Sequence, residues 1–219
     1  MLSNDCKYDH LTIKKDPEYS PKDDCMEFRL FYSGPLLGAN GKNTRSEHKH
    51  DIRRRFCSQL MTLWAMNLNL REWVSPHPET GALRKTYENL SEKFVLNGVG
   101  YVPLSHEELG IGCGLDILMM RPEMPGQTII QGGDIDNRLK TLFDALRMPK
   151  VGEVGEVGEV AEGGYNPFFC LLQDDSLINH VSITTDWLLD GKYDENDVLL
   201  IIKVKLWRIV HLMSNIGVF

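Results

Sequence analysis

Hydrophobic and polar positions alternate along some stretches of the chain and recur every three to four residues along others. Met26–Phe31 (MEFRLF) alternates and predicts a strand. Ile52, Phe56, Leu60, Leu63 and Trp64 follow helical spacing and predict a helix over 47–66, with Ser46 as its cap. That helix would hold Lys49, Arg53 and Arg54 away from its apolar stripe. Residues 67–92 are polar and irregular, with Pro76, Pro78 and Gly81 marking a turn. Phe94–Val102 and Cys113–Met120 predict strands, the second ending at Arg121-Pro122 and continuing over Thr128–Gln131. A loop then runs into a helix whose stripe is Leu139, Leu142, Phe143 and Leu146 and which stops at Pro149. Phe168–Leu172, Leu177–Thr184 and Val198–Ile209 predict three more strands. Strand, helix, strands, helix, strands is the order of a mixed α+β fold.

Three segments fall outside that pattern. Residues 1–25 are polar, carry Pro17 and Pro21, and read as an N-terminal extension. Residues 150–166 repeat Gly-Glu-Val three times in a row and read as a flexible, acidic, disordered insertion. Residues 211–219 read as a C-terminal tail, leaving 26–210 as the folded domain.

Composition narrows the picture. With 219 residues, 42% of them hydrophobic, the chain has material for one large domain with a core. No run approaches the roughly 20 apolar residues that cross a bilayer, so no membrane is expected. The polar, acid-bearing start argues against a signal peptide. Five scattered cysteines without a C-x-x-C indicate neither a disulfide framework nor a zinc knuckle, and fit a reducing cytoplasm. Net charge is −7, yet His48–Arg55 is strongly basic while acids gather at Asp5–Asp24, Glu153–Glu162 and Asp186–Asp197. A phosphate-binding surface therefore has to be local.

Candidate chemistry sits in Gly132-Gly133-Asp134-Ile135-Asp136-Asn137-Arg138-Leu139-Lys140. Asp134 lies in the extended entry and Asp136 at the helix start, so the two can converge. Asp136, Lys140 and Asp144 recur at intervals of four along one edge of the stripe. Two glycines before them allow a tight turn. Clustered carboxylates suit a hard divalent cation, which takes one or two of them plus water and phosphate oxygens. Each piece also has an ordinary meaning: an Asp before a helix caps it, and an i,i+4 Asp–Lys pair is a common surface ion pair. Asp174-Asp175 reads either as a turn or as a strand end delivering a third carboxylate.

Taken together these segments resemble the RusA family of Holliday junction resolvases, which carry D-x-D-N-x-x-K opening a helix, a D-A-L element, and a D-D pair before a strand. The matching text is Asp134-Ile135-Asp136-Asn137-Arg138-Leu139-Lys140, Asp144-Ala145-Leu146 and Asp174-Asp175. The resemblance covers residues 132–147 and 170–184. It implies a RusA-like mixed sheet with two main helices, a homodimer, and magnesium- or manganese-dependent cutting of branched DNA. By position it makes Asp134, Asp136 and Asp175 the metal ligands and Lys140 the catalytic lysine. Lys49, Arg53 and Arg54 are candidates for DNA backbone contacts. The chain departs from the family in its added length, in the Gly-Glu-Val insertion before Asp174-Asp175, and in its acidic net charge. The alternative expectation is a RusA-fold binding module that recognises nucleic acid or protein in a phage-related system and cuts nothing.

Overall fold

The computed structural model describes residues 25–38, 45–122, 135–153, 165–215 and 218–219. The expected N-terminal extension up to residue 24, the strand continuation at 128–131, Asp134 and most of the Gly-Glu-Val insertion lie outside the described residues. The architecture is mixed α+β.

A four-stranded sheet is built from β1 (Cys25–Pro35), β6 (Ile111–Arg121), β8 (Ile178–Trp187) and β9 (Asp197–Arg208), in the order β1-β9-β6-β8. β9 is antiparallel to both β1 and β6, whereas β6 and β8 are parallel. Alternation explains the burial. Leu30, Ile202 and Ile117 align across three strands and are all buried, as are Leu200, Val204, Leu115 and Met119. The other face carries Glu27, Lys203, Lys205 and Asp116, and Glu27 pairs with both lysines. A parallel neighbour needs a crossover. Here the chain between β6 and β8 supplies it, and that crossover contains the motif helix.

A second sheet joins β4 (Val95–Leu96), β5 (Val99–Ser105) and β7 (Phe168–Leu172), with β5 and β7 parallel and buried throughout. Burial on both faces matches their nearly continuous apolar text. The expected single strand over 94–102 is in fact a hairpin. Asn97 and Gly98 both take positive φ (50° and 78°), the requirement of a two-residue turn of the Asn-Gly kind.

Helix α1 (Ser46–Met66) buries Ile52, Phe56, Leu60 and Trp64 against β1 and β7. Ser46 opens the helix and does not cap it; the cap position belongs to Arg45, in left-handed geometry without a side-chain cap bond. The segment expected to be irregular, 67–92, is ordered into α2 (Leu68–Glu72), the β2–β3 hairpin (Val74–Pro76 with Leu83–Lys85) and α3 (Thr86–Lys93). Its few apolar residues converge on one partner. Trp73 stacks on Trp64 at 5.9 Å, and Tyr87 and Phe169 complete the aromatic group.

Helix α4 (Ile135–Leu146) is the motif helix and packs on α1 and β7. Described residues of the C-terminal segment, expected as a tail, pack against the fold. Val218 is buried, Phe219 lies under the Arg208 guanidinium at 4.9 Å, and Asn215 Nδ2 donates to the carbonyls of Leu109 and Val210.

Candidate active site

Helix α4 is buried along most of its length. Arg138, Leu139, Thr141, Leu142 and every residue from Asp144 to Leu146 are covered. Asp136 and Lys140 are its exposed positions, one turn apart on one side. An acid in the first turn also meets the positive end of the helix dipole. Thus the helix is held by its apolar stripe and presents one carboxylate and one ammonium to solvent. Asp134, two residues earlier, lies outside the described residues.

Asp174 and Asp175 divide their roles. Asp174 Oδ1 accepts the Ser176 N–H at 3.0 Å and so caps the one-turn 3₁₀ segment Asp175–Leu177. That bond, with Lys150 Nζ 3.3 Å away, holds the Asp174 carboxyl down at about 2. Asp175 is 41% exposed, and its Oδ1 lies 3.9 Å from Arg147 Nε. The Asp175–Leu177 turn packs on α4, but its nearest described ion partner follows the end of that helix. Asp136 stands eleven residues before Arg147, about 16 Å of helical rise. Among the described residues no group of three or more His, Cys, Asp or Glu side chains is placed to hold a metal ion.

Lys49 and Arg53 correct the expectation of a basic face turned away from the apolar stripe. Both are buried, at 6% and 1% exposure. Lys49 Nζ lies 2.7 Å from Asp144 Oδ2, and Arg147 Nη2 lies 2.5 Å from Asp144 Oδ1 and 2.8 Å from Glu153 Oε1. Arg53 donates from Nη2 to the Asp144 carbonyl and from Nε to the Arg147 carbonyl. Those carbonyls close α4, where a helix leaves acceptors without partners. Arg53 is therefore a helix cap reaching across from α1. Burial pushes the Asp144 carboxyl up, but Lys49 and Arg147 outweigh it and hold it below the ordinary value. Glu153 is likewise held down by Arg147 against its burial. The first residues of the acidic insertion are consequently anchored: Glu153 also accepts the Lys150 N–H. Asp144 of the D-A-L element ties α4 to α1.

Arg54 faces elsewhere. Together with Tyr32, Pro35, His48, Asp51 and Arg55 it lines a cleft of 420 Å³ between β1 and α1. Arg54 pairs with Asp51. Arg55 lies over the Tyr32 ring at 5.6 Å and donates from Nη1 to the Ser33 carbonyl at 2.9 Å. Tyr32 Oη donates to the Pro35 carbonyl, and burial pushes its phenol up to about 12. His48 Nε2 accepts the Leu37 N–H at 3.2 Å, so the ring is neutral with its proton on Nδ1; burial, then Arg45, holds its pKa down. The segment 35–38 continues from the cleft to α4. Arg138 Nη1 donates to the Leu36 carbonyl, and a Cβ at Gly38 would meet Asn137 Cβ at 3.2 Å. The basic run His48–Arg55 was the signal for this cleft, but Arg55, His48 and Tyr32 were not singled out from sequence.

No helix among the described residues is long and apolar enough to cross a membrane. No protein-family model matches the chain, and no curated protein sequence matches it.

Proposed function

We propose that the chain is a divalent-metal-dependent endonuclease that hydrolyses DNA phosphodiesters, at branched DNA such as Holliday junctions. The observation that carries this reading is the pairing of Asp136 and Lys140 as the exposed side chains of an otherwise buried helix. A carboxylate and an ammonium one turn apart, presented to solvent by a helix whose other face is packed in the core, suit work on a phosphate. Asp134 and Asp136 would hold magnesium or manganese, and Asp175 would join them as the third carboxylate only on leaving Arg147. All three offer the oxygen donors such ions take. The bound ion supplies Lewis-acid activation of water and of the phosphoryl oxygen. Lys140, on the same side of α4 as Asp136, would donate to the phosphate oxygen on which charge grows. Arg53 and the Lys49–Asp144–Arg147 network fix α4 against α1 and so fix where that lysine stands.

The homodimer and the RusA-like fold belong to the same proposal. β8 is an edge strand exposed at most positions, with Val181 and Trp187 uncovered at 39% and 42%; this supports a second copy as its neighbour. The test is manganese-dependent cleavage of a four-way junction by the intact chain and by Asp136→Asn and Lys140→Ala. Loss of cutting with retained circular dichroism supports the site; full activity in both variants refutes it.

A second reading, a binding module that cuts nothing, draws on Asp175. Arg147 already answers that carboxylate from 3.9 Å. Manganese titration by calorimetry separates the two, because a non-catalytic site takes up no ion at Asp136.

A further inference from the structure

We infer that the cleft between β1 and α1 is a phosphate-binding subsite for the strand being cut. It rests on the nuclease reading and adds to it a place for a phosphodiester upstream or downstream of the scissile one. Four observations carry it.

The first is charge. The lining holds two guanidinium groups, Arg54 and Arg55, against one carboxylate, Asp51, so the cleft is net positive on a chain of net charge −7. His48 neither adds to this nor opposes it, since its Nε2 accepts a backbone N–H and burial keeps the ring neutral. The nearby basic residues Lys49 and Arg53 are buried and bonded to Asp144 and to the end of α4, so they do not serve a bound anion. That separates Arg54 and Arg55 from the rest of the basic run.

The second is preorganisation. Arg55 is fixed by the Ser33 carbonyl on one side and by the Tyr32 ring on the other; Tyr32 in turn is fixed by the Pro35 carbonyl. Arg54 is held by Asp51. A guanidinium already oriented loses less rotamer freedom when it meets an oxyanion, and its planar fork matches two phosphate oxygens.

Third, the cleft is of suitable size. At 420 Å³ it lies within the range of about 300–1,000 Å³ typical of sites for small ligands, ample for one phosphate with its flanking sugars.

The fourth is position. Pro35 lines the cleft, and Gly38 lies close enough to Asn137, the neighbour of Asp136, that a Cβ there would meet the Asn137 Cβ at 3.2 Å. Three residues of extended chain span at most about 11 Å. A nucleic-acid strand advances about 3.4 Å per nucleotide. The cleft therefore stands up to about three nucleotides from the first turn of α4, and Arg138, donating to the Leu36 carbonyl, ties the intervening segment to that helix.

The test uses the full chain with calcium replacing manganese, so that binding is read without cutting. The probes are a fluorescein-labelled four-way junction and a labelled single strand, followed by anisotropy across a salt series, with inorganic phosphate as competitor. Arg54→Gln and Arg55→Gln should each weaken junction binding by roughly three- to tenfold and lower the salt slope by about 1. Arg54→Lys should recover most of the affinity, because it restores the charge. Competition by millimolar phosphate at the same occupancy in the parent and in both Gln variants would show that free phosphate, if it binds, binds elsewhere, and would count against the subsite. Unchanged affinity and salt slope in both Gln variants, with circular dichroism intact, overturns it, as does failure of the unaltered chain to bind either probe. Cleavage is scored separately in manganese: cutting with an unaffected Arg54→Gln binding curve rejects the subsite alone, and retained arginine-dependent binding with no cutting rejects the nuclease reading alone.

Discussion

A buried ammonium or guanidinium persists only where a partner answers its charge. Lys49 has Asp144, and Arg53 has two carbonyls at the end of α4 together with Glu153 at 3.7 Å. These partners lie some ninety residues further along the chain, which is why helical spacing alone assigns both side chains to a solvated face. Removing Lys49 leaves the buried Asp144 carboxylate with Arg147 alone, one of its two cations short. Lys49→Ala should therefore lower stability by roughly 3 kcal/mol in urea unfolding, with no change in the salt dependence of DNA binding. A cost under about 0.5 kcal/mol would mean that Lys49 is an ordinary surface residue.

Two histidines set the acid side of the stability profile. His50 has both ring nitrogens buried without a hydrogen-bond partner among the described residues, and His106 has its Nδ1 so. Burial first, then Arg53 for His50 and Lys93 for His106, pushes each pKa down to about 4. The folded state thus resists a proton that the unfolded chain accepts near 6.5. Between those values the unfolded state binds more protons, so stability falls as pH drops from about 6.5 to about 4, by on the order of 2–3 kcal/mol per histidine. Asp144 and Glu153, whose pKa values are depressed, add a further loss below that window. Urea midpoints at pH 7, 5.5 and 4.5 read this directly. In His50→Phe/His106→Phe the slope should flatten, and an unchanged slope would assign it to other groups.

At the scale of elements, alternation and helical spacing were enough for β1, β6, β9, α1 and α4, which each bury a regular face, while β7 was legible as a short apolar run buried throughout and β8 as a run of strand-forming residues. The segment 67–92 escaped because its apolar residues, Leu70, Trp73 and Leu90, are too sparse to show a period. Trp73 stacks on Trp64 of α1, and Trp64 in turn meets Phe169 of β7, so its cover comes from outside the segment. The Asn97-Gly98 turn carried a local signal that was readable and outweighed by the apolar run around it. α3 and β5 meet at closest approach at Gly100, where a Cβ would stand 2.5 Å from the Ser91 carbonyl oxygen. Backbone cannot yield as a side-chain end does. Gly100→Ala should cost about 1–3 kcal/mol and lower the melting temperature, whereas Gly81→Ala, with open space around it but a positive φ of 69°, should show only the smaller strain of that conformation. Equal, negligible losses in both would contradict the packing of α3 on β5.

For the molecule as a whole, the readable part of the candidate site was the part written in one helix. Asp136 and Lys140 follow from spacing, and the structure leaves both exposed. The remainder is assembled from several elements. Arg54, Arg55, His48 and Tyr32 come together because α1 lies across β1, and Asp175 meets Arg147 because β7 returns beside the end of α4. The D-A-L element, by contrast, has a physical reading that needs no catalysis: Asp144 bolts α4 to α1 through Lys49 and Arg147.

The most direct test is initial-rate cleavage of a four-way junction in manganese, comparing the intact chain with Asp136→Asn at equal circular dichroism. Loss of an ion's several kcal/mol of transition-state stabilisation predicts a rate at least about a hundredfold lower in the variant, from measurable cutting in the parent. Equal rates in the two proteins, or no cutting by the parent on junction, flap or linear duplex, would contradict the account.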